Sequence, residues 1–187
     1  MSSANAESLT PLQQEINQVL ASTEGGVQIS QNEIAWEGGE AIMAFPLPGE
    51  TQAPISSPAA QRLQAKVAGK TTGTVESEAT QGDATILASD NCPTQVFGND
   101  WYCFYQNTNF GGRRLQWNAA HTSRVYFSAY DFDNETSSWS NKGGKTIRVY
   151  EDFWVNNPTH LWTEENHSSS SSVYYADDNR ADYFVTS

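Results

Sequence analysis

The chain has 187 residues, the length of one ordinary domain or of a smaller one with an extension. Six Trp, eight Tyr and eight Phe can fill a compact core, which argues against wholesale disorder. The formal net charge of −12 repels nucleic acid and anionic membranes. No run approaches the ~18–20 apolar residues needed to insert through a bilayer. The sequence as given carries no basic, apolar leader, so a soluble protein is expected, with any signal peptide absent from this chain.

Residues 8–24 read as a helix. Thr10 suits the N-cap, Pro11 the first helical position and Gln13 a capping box. Leu12, Ile16, Val19 and Leu20 share one face, and Gly25-Gly26 end the run. Val27–Ile29, Ile34–Trp36 and Ala41–Phe45 follow as short strands separated by Asn32 and by Gly38-Gly39, a meander or hairpin with one apolar face. So short a segment buries little area alone, and docking on another part of the chain is expected. From Pro46 to Asn91 the composition shifts to Pro, Ala, Ser, Thr, Gly and Gln, which reads as a spacer with a helix over Pro58–Val67.

The remainder carries an internal repeat at an offset of 45 residues: Tyr105 matches Tyr150, Trp117 matches Trp162, Tyr130 matches Tyr175, Asp133 matches Asp178 and Asn134 matches Asn179. Each copy has alternating stretches, Trp101–Gln106 and Arg114–Asn118 in the first, Thr146–Glu151 and His160–Thr163 in the second. Four short strands fit such a unit, the size of one Greek key, and two keys stack as a β-sandwich. In Phe104–Gly112 the glycines permit positive φ or close backbone approach after an aromatic. Asn156-Asn157 take those positions in the second copy, and Asn tolerates the left-handed region best among non-glycine residues.

Tyr105, Phe110, Gly112 and the later Ser137 resemble the βγ-crystallin motif. The run Cys92-Pro93 through Trp101–Tyr105, then Asn109–Arg113, is similar more narrowly to a bacterial family of metallopeptidase inhibitors with that fold. The resemblance covers about half of the chain. It implies a mainly β, two-Greek-key βγ-crystallin-like sandwich with an N-terminal helix and short β-hairpin extension. The expected organisation is an extension over 1–47, a linker over 48–91 and the crystallin-like domain over 92–187, with repeats of roughly 101–140 and 146–187. The best-known inhibitors of that family hold a reactive loop with a second disulfide. This chain has two cysteines in all, so no inhibitory residue carries over.

Calcium-binding members of the fold use a hexapeptide of two Asp or Asn, two variable residues, Ser or Thr, then Ser. Asp133-Asn134-Glu135-Thr136-Ser137-Ser138 fits each position and offers carboxylate, amide, hydroxyl and carbonyl oxygens, the hard ligands calcium prefers. The resemblance implies paired sites that borrow ligands across repeats. The second copy, Asp178-Asn179-Arg180-Ala181-Asp182-Tyr183, substitutes Asp182 for the hydroxyl residue, with Glu151 matching Gln106 alongside. Arg180 is poised to pair with Asp178 instead. The competing reading is that these side chains merely tie turns.

Cys92 and Cys103, with ten residues between them, read as a structural bridge ahead of two buried thiols or a redox couple; a bridge implies an oxidising compartment and export. His160, Glu164, Glu165 and His167 lack a zinc-ligand spacing, and Ser168–Ser172 read as a loop without a nucleophile signature. Catalysis is therefore not expected. Of the tryptophans, Trp154 is the candidate for partner binding, while the pairing of Trp117 with Trp162 argues for equivalent core positions. The leading expectation is a secreted, non-catalytic inhibitor of a secreted peptidase, acting through a loop near Asp152–Pro158 or His167–Ser172. The alternatives are a calcium-binding structural protein and a lectin-like cell-surface module.

Overall fold

The computed structural model describes residues 9–69, 90–94, 101–118, 121–152 and 157–187. Helix α1 (Pro11–Ser22) begins where the Thr10 hydroxyl accepts from the Gln13 amide at 3.2 Å, and it buries Ile16 and Val19. Strands β1 (Val27–Ser30), β2 (Glu33–Trp36) and β3 (Ala41–Ala44) form the expected antiparallel meander. Helix α2 (Pro58–Val67) is capped by Ser57, whose hydroxyl accepts from the Ala60 amide.

Two antiparallel sheets follow from the repeat. The first copy supplies β4 (Tyr102–Asn107), β5 (Gly111–Trp117), β6 (Val125–Tyr126) and β7 (Ser138–Asn141). The second supplies β8 (Ile147–Glu151), β9 (Thr159–Glu164), β10 (Ser168–Ser170) and β11 (Tyr183–Thr186). One sheet runs β1-β2-β3-β5-β4-β7-β10 and the other β6-β11-β8-β9. The third strand of each copy thus sits in the sheet of the other, which interlocks two Greek keys into one sandwich. The repeat survives at the level of single bonds. Ser137 N–H donates to Tyr105 O, and 45 residues on Asp182 N–H donates to Tyr150 O, both at 2.9 Å.

Between the sheets lies an aromatic core. Phe104 meets Phe127 at 4.8 Å between ring centroids, and Trp117 meets Phe184 at 4.8 Å and Tyr130 at 5.2 Å, in the edge-to-face geometry the ring quadrupole favours. The meander docks here. Strand β3 pairs with β5 in the register Ala41↔Trp117 to Ala44↔Arg114, which buries all four residues of β2 and of β3.

Residues 48–69 of the expected linker are held against this sheet. Gln52 bridges Gly112, and the buried Arg114 guanidinium donates to the carbonyls of Ala53 (3.2 Å) and Pro54 (2.9 Å). Residues 70–89 lie outside the described part. Two readings need correction. Ser168–Ser170 is a strand rather than a loop, because serine side chains leave the backbone free to pair and Asn141–Trp139 of β7 supply the partner register. Trp162 is only half buried where Trp117 is fully buried, because no counterpart of the N-terminal meander covers β9 among the described residues.

Candidate calcium and partner sites

The two hexapeptides lie against each other across the repeats. Asn134 and Asn179 both adopt φ of +57°, the left-handed region in which Asn is the favoured non-glycine residue. Asn134 N–H donates to Ala181 O at 3.0 Å, and Asn179 N–H donates to Thr136 O at 3.2 Å, a reciprocal pair 45 residues apart. The Ser137 hydroxyl reaches Asn179 Oδ1 at 3.3 Å. Asp133 hydrogen-bonds to Asp182; burial first, then that neighbouring carboxylate, pushes Asp133 up to about 6, while the Asn134 amide at 3.0 Å opposes the shift. Asp182 also accepts from the Asp152 amide at 2.5 Å.

Not every candidate oxygen is free. Arg180 grips both carboxylate oxygens of Glu151, Nε to Oε1 at 3.0 Å and Nη2 to Oε2 at 2.5 Å, and lies 3.5 Å from Asp177 rather than pairing with Asp178. The equivalent first-copy pair is Gln106, whose amide donates to Glu135 at 2.7 Å. Asp178 Oδ1 and Thr136 Oγ1 are buried without a hydrogen-bond partner. Among the described residues no three acidic, histidine or cysteine side chains converge as a metal cage. Calcium readily takes carboxylate, carbonyl and hydroxyl oxygens, and the Asp133–Asp182 carboxyl pair is the part of the two hexapeptides whose chemistry suits such a cation. Glu151, with both oxygens engaged, does not fit as a ligand.

Beside this turn opens a cleft of about 380 Å³ between α1 and the first copy. Arg113 lies in its wall, 3.6 Å from Asp131, 3.6 Å from Glu135 and 3.8 Å from Glu15, with its guanidinium over the Phe132 ring. The sequence singled out Glu135 but missed Arg113 and Glu15, since residues 98 positions apart in the chain meet only through the docking of α1.

The hairpin motif is built as its residues imply, with one change. Asn109, Phe110 and Gly112 take positive φ, and a Cβ on Gly112 would lie 2.8 Å from the Gln106 side chain. The hydroxyl that ties this hairpin is that of Ser138, which donates to Asn107 O at 2.6 Å and accepts from Phe110 N–H at 3.1 Å. Ser137 instead faces the second hexapeptide. Cys92 and Cys103 form a disulfide with Cα atoms 5.9 Å apart, inside the ordinary range. A buried network unforeseen in the sequence surrounds it: Asp90 accepts from the Cys92 amide, the Ser140 hydroxyl and Lys142, and its carbonyl accepts from the Tyr105 hydroxyl at 2.6 Å. Trp154 and Asn156 lie outside the described residues. His160 and His167 do not join a cluster with Glu164, which is buried and accepts from the Trp162 indole at 3.0 Å.

Residues 88–162 match the model of peptidase inhibitor family I36. No curated protein matches the chain significantly. Two solved structures are similar at low identity. One, described as "Evolution of the eye lens beta-gamma-crystallin domain fold", is 13% identical over 51% of this chain and 92% of its own, with a TM-score of 0.38. The other, a mutant betagamma-crystallin domain from Clostridium beijerinckii, is 18% identical over 46% of this chain and 94% of its own, with a TM-score of 0.35.

Proposed function

We propose, from the match of residues 88–162 to peptidase inhibitor family I36, that this protein is a secreted, non-catalytic peptidase inhibitor whose target is a metallopeptidase. That match carries the reading. The sandwich supports it physically, because a scaffold tied by an aromatic core, a disulfide and paired hexapeptides loses little conformational freedom on binding. The disulfide supports an oxidising, exported setting. Inhibition is by occupation: a preorganised surface fills the substrate cleft without offering a bond the enzyme turns over. Titration of the purified protein against a thermolysin-type zinc peptidase, a serine peptidase and an aspartic peptidase tests this directly. Stoichiometric loss of zinc-peptidase activity is expected. Full activity of all three at several-fold molar excess of the protein would overturn the proposal.

A second reading has its own observation. Asp133 and Asp182 share a hydrogen bond, an arrangement that either retains a proton or invites a cation. We infer that calcium stabilises the fold there, with Asp133, Asn134, Ser137, Asp178, Asn179 and Asp182 as the residues that would surround it. Isothermal titration with calcium, run against the Asp133→Asn variant, measures it. Equal heats from both proteins would remove the reading.

A further inference from the structure

The two halves of the sandwich differ in what covers them. On the first copy, β3 pairs along β5 over Ala41–Ala44, and the Trp36 ring stands 5.3 Å from Tyr130, edge-on. One segment therefore closes a sheet edge and caps an aromatic, leaving Tyr130 only 6% exposed. The 45-residue offset maps this covered surface onto β9 and Tyr175 of the second copy. There, among the described residues, no strand pairs with the outer edge of β9. Tyr175 is 81% exposed and Tyr174, with its ring 4.5 Å away, is 64% exposed.

Among the described residues that edge belongs to the longest of the four strands that end the two sheets. The other three belong to β1, β6 and β10, with four, two and three residues, against six in β9. Edge strands are commonly blunted by proline, lysine or brevity. Strand β9, Thr-His-Leu-Trp-Thr-Glu, has neither residue within it and carries strong strand formers.

We propose that the outer edge of β9, together with Tyr174 and Tyr175 of the same copy, is the surface on which this protein accepts an extended antiparallel strand from its peptidase partner. The inference rests on the inhibitor reading above. Peptidase clefts read extended backbone, and strand addition supplies main-chain hydrogen bonds while side chains confer choice. The exposed tyrosines play toward the partner the part that Tyr130 plays toward Trp36, so the incoming strand carries an apolar or aromatic side chain beside it. Charge selects against a second copy as occupant: two chains of net charge −12 repel, and a neutral or basic strand is favoured.

Hydrogen exchange on the intact protein, free and in complex with a thermolysin-type peptidase, tests the surface. The amides of residues 159–164 should slow by about tenfold or more on complex formation. Tyr175→Ala should raise the inhibition constant by about tenfold or more with the melting temperature unchanged, since its ring is exposed. Undiminished inhibition by Tyr175→Ala, with protection confined to another surface such as residues 107–112, would overturn this site and leave the inhibitor reading standing. Absence of any inhibition would remove both. Protection of 159–164 in the free protein that grows with its concentration would assign the edge to self-association and overturn the proposal.

Discussion

Single residues in this protein are held by conformation and by burial, and each has a measurable consequence. Gly112 combines φ of +71° with contacts that leave no room for a Cβ. Gly112→Ala should therefore cost ~1–3 kcal/mol in urea unfolding, through left-handed strain and displacement of the Gln106 side chain. Gly111, which does not have a positive φ, should tolerate alanine better. Glu164 is the clearest titrating case. Burial drives its carboxyl well above the ordinary value, opposed by the Trp162 indole, and Oε2 has no hydrogen-bond partner. A raised carboxyl pKa means that the folded state holds the proton more tightly than the unfolded chain. Its stabilising contribution is complete below about pH 4 and is lost as pH rises through the folded value. Melting temperature should accordingly fall on the alkaline side, and Glu164→Gln should flatten that fall while matching the wild type near pH 4. A parallel loss in both proteins would show that Glu164 is not the group responsible.

At the level of elements, the N-terminal meander is part of the sandwich rather than an appendage. Trp36 is 2% exposed, packed on Tyr130, and sits at the end of a strand buried along its length. Trp36→Ala should cost ~3–5 kcal/mol, the range for emptying an aromatic site in a core, and should expose Tyr130 to fluorescence quenchers. The disulfide acts on a different state. It joins residues 11 apart and stabilises chiefly by restricting the unfolded chain, so reduction should lower stability by ~2–3 kcal/mol with the folded near-ultraviolet spectrum retained. Loss of that spectrum at low denaturant would show instead that the bridge holds the Asp90 network together.

For the whole molecule, the calcium site proposed above would couple metal affinity to pH through the crossed arrangement of the two copies. Asp133, pushed up to about 6, must release its proton before its carboxylate can serve a cation. Without calcium, the raised pKa makes Asp133 a source of stability below its unfolded value that is lost as pH climbs toward 6; bound calcium reverses the preference by favouring the carboxylate. Calcium should therefore raise the melting temperature more at pH 7.5 than at pH 5, and Asp133→Asn should erase the difference. Equal shifts at both pH values would sink the assignment of that residue.

Much of this was legible from residue order alone. Helix α1, the meander, α2 and the first two strands of each copy follow from local signals: Thr10 with Pro11 and Gln13, the glycine turns, and an aromatic repeat at fixed offset. The Gly112 hairpin follows from backbone sterics, which need no tertiary context. Other features depend on distance in space. Arg113 with Glu15, the Arg114 anchor on Ala53 and Pro54, the capture of Glu151 by Arg180, and the role of Ser138 in place of Ser137 all join groups that the chain order separates. The same holds for the difference between Trp117 and Trp162. Periodicity makes them equivalent, yet one pairs with a docked strand and the other lies on a strand whose outer edge pairs with none of the described strands. Sequence determined the duplicated sandwich because strand, turn and repeat are encoded by neighbours; the tertiary structure alone decided which half is covered, because a single N-terminal meander can pair with only one of two equivalent edges.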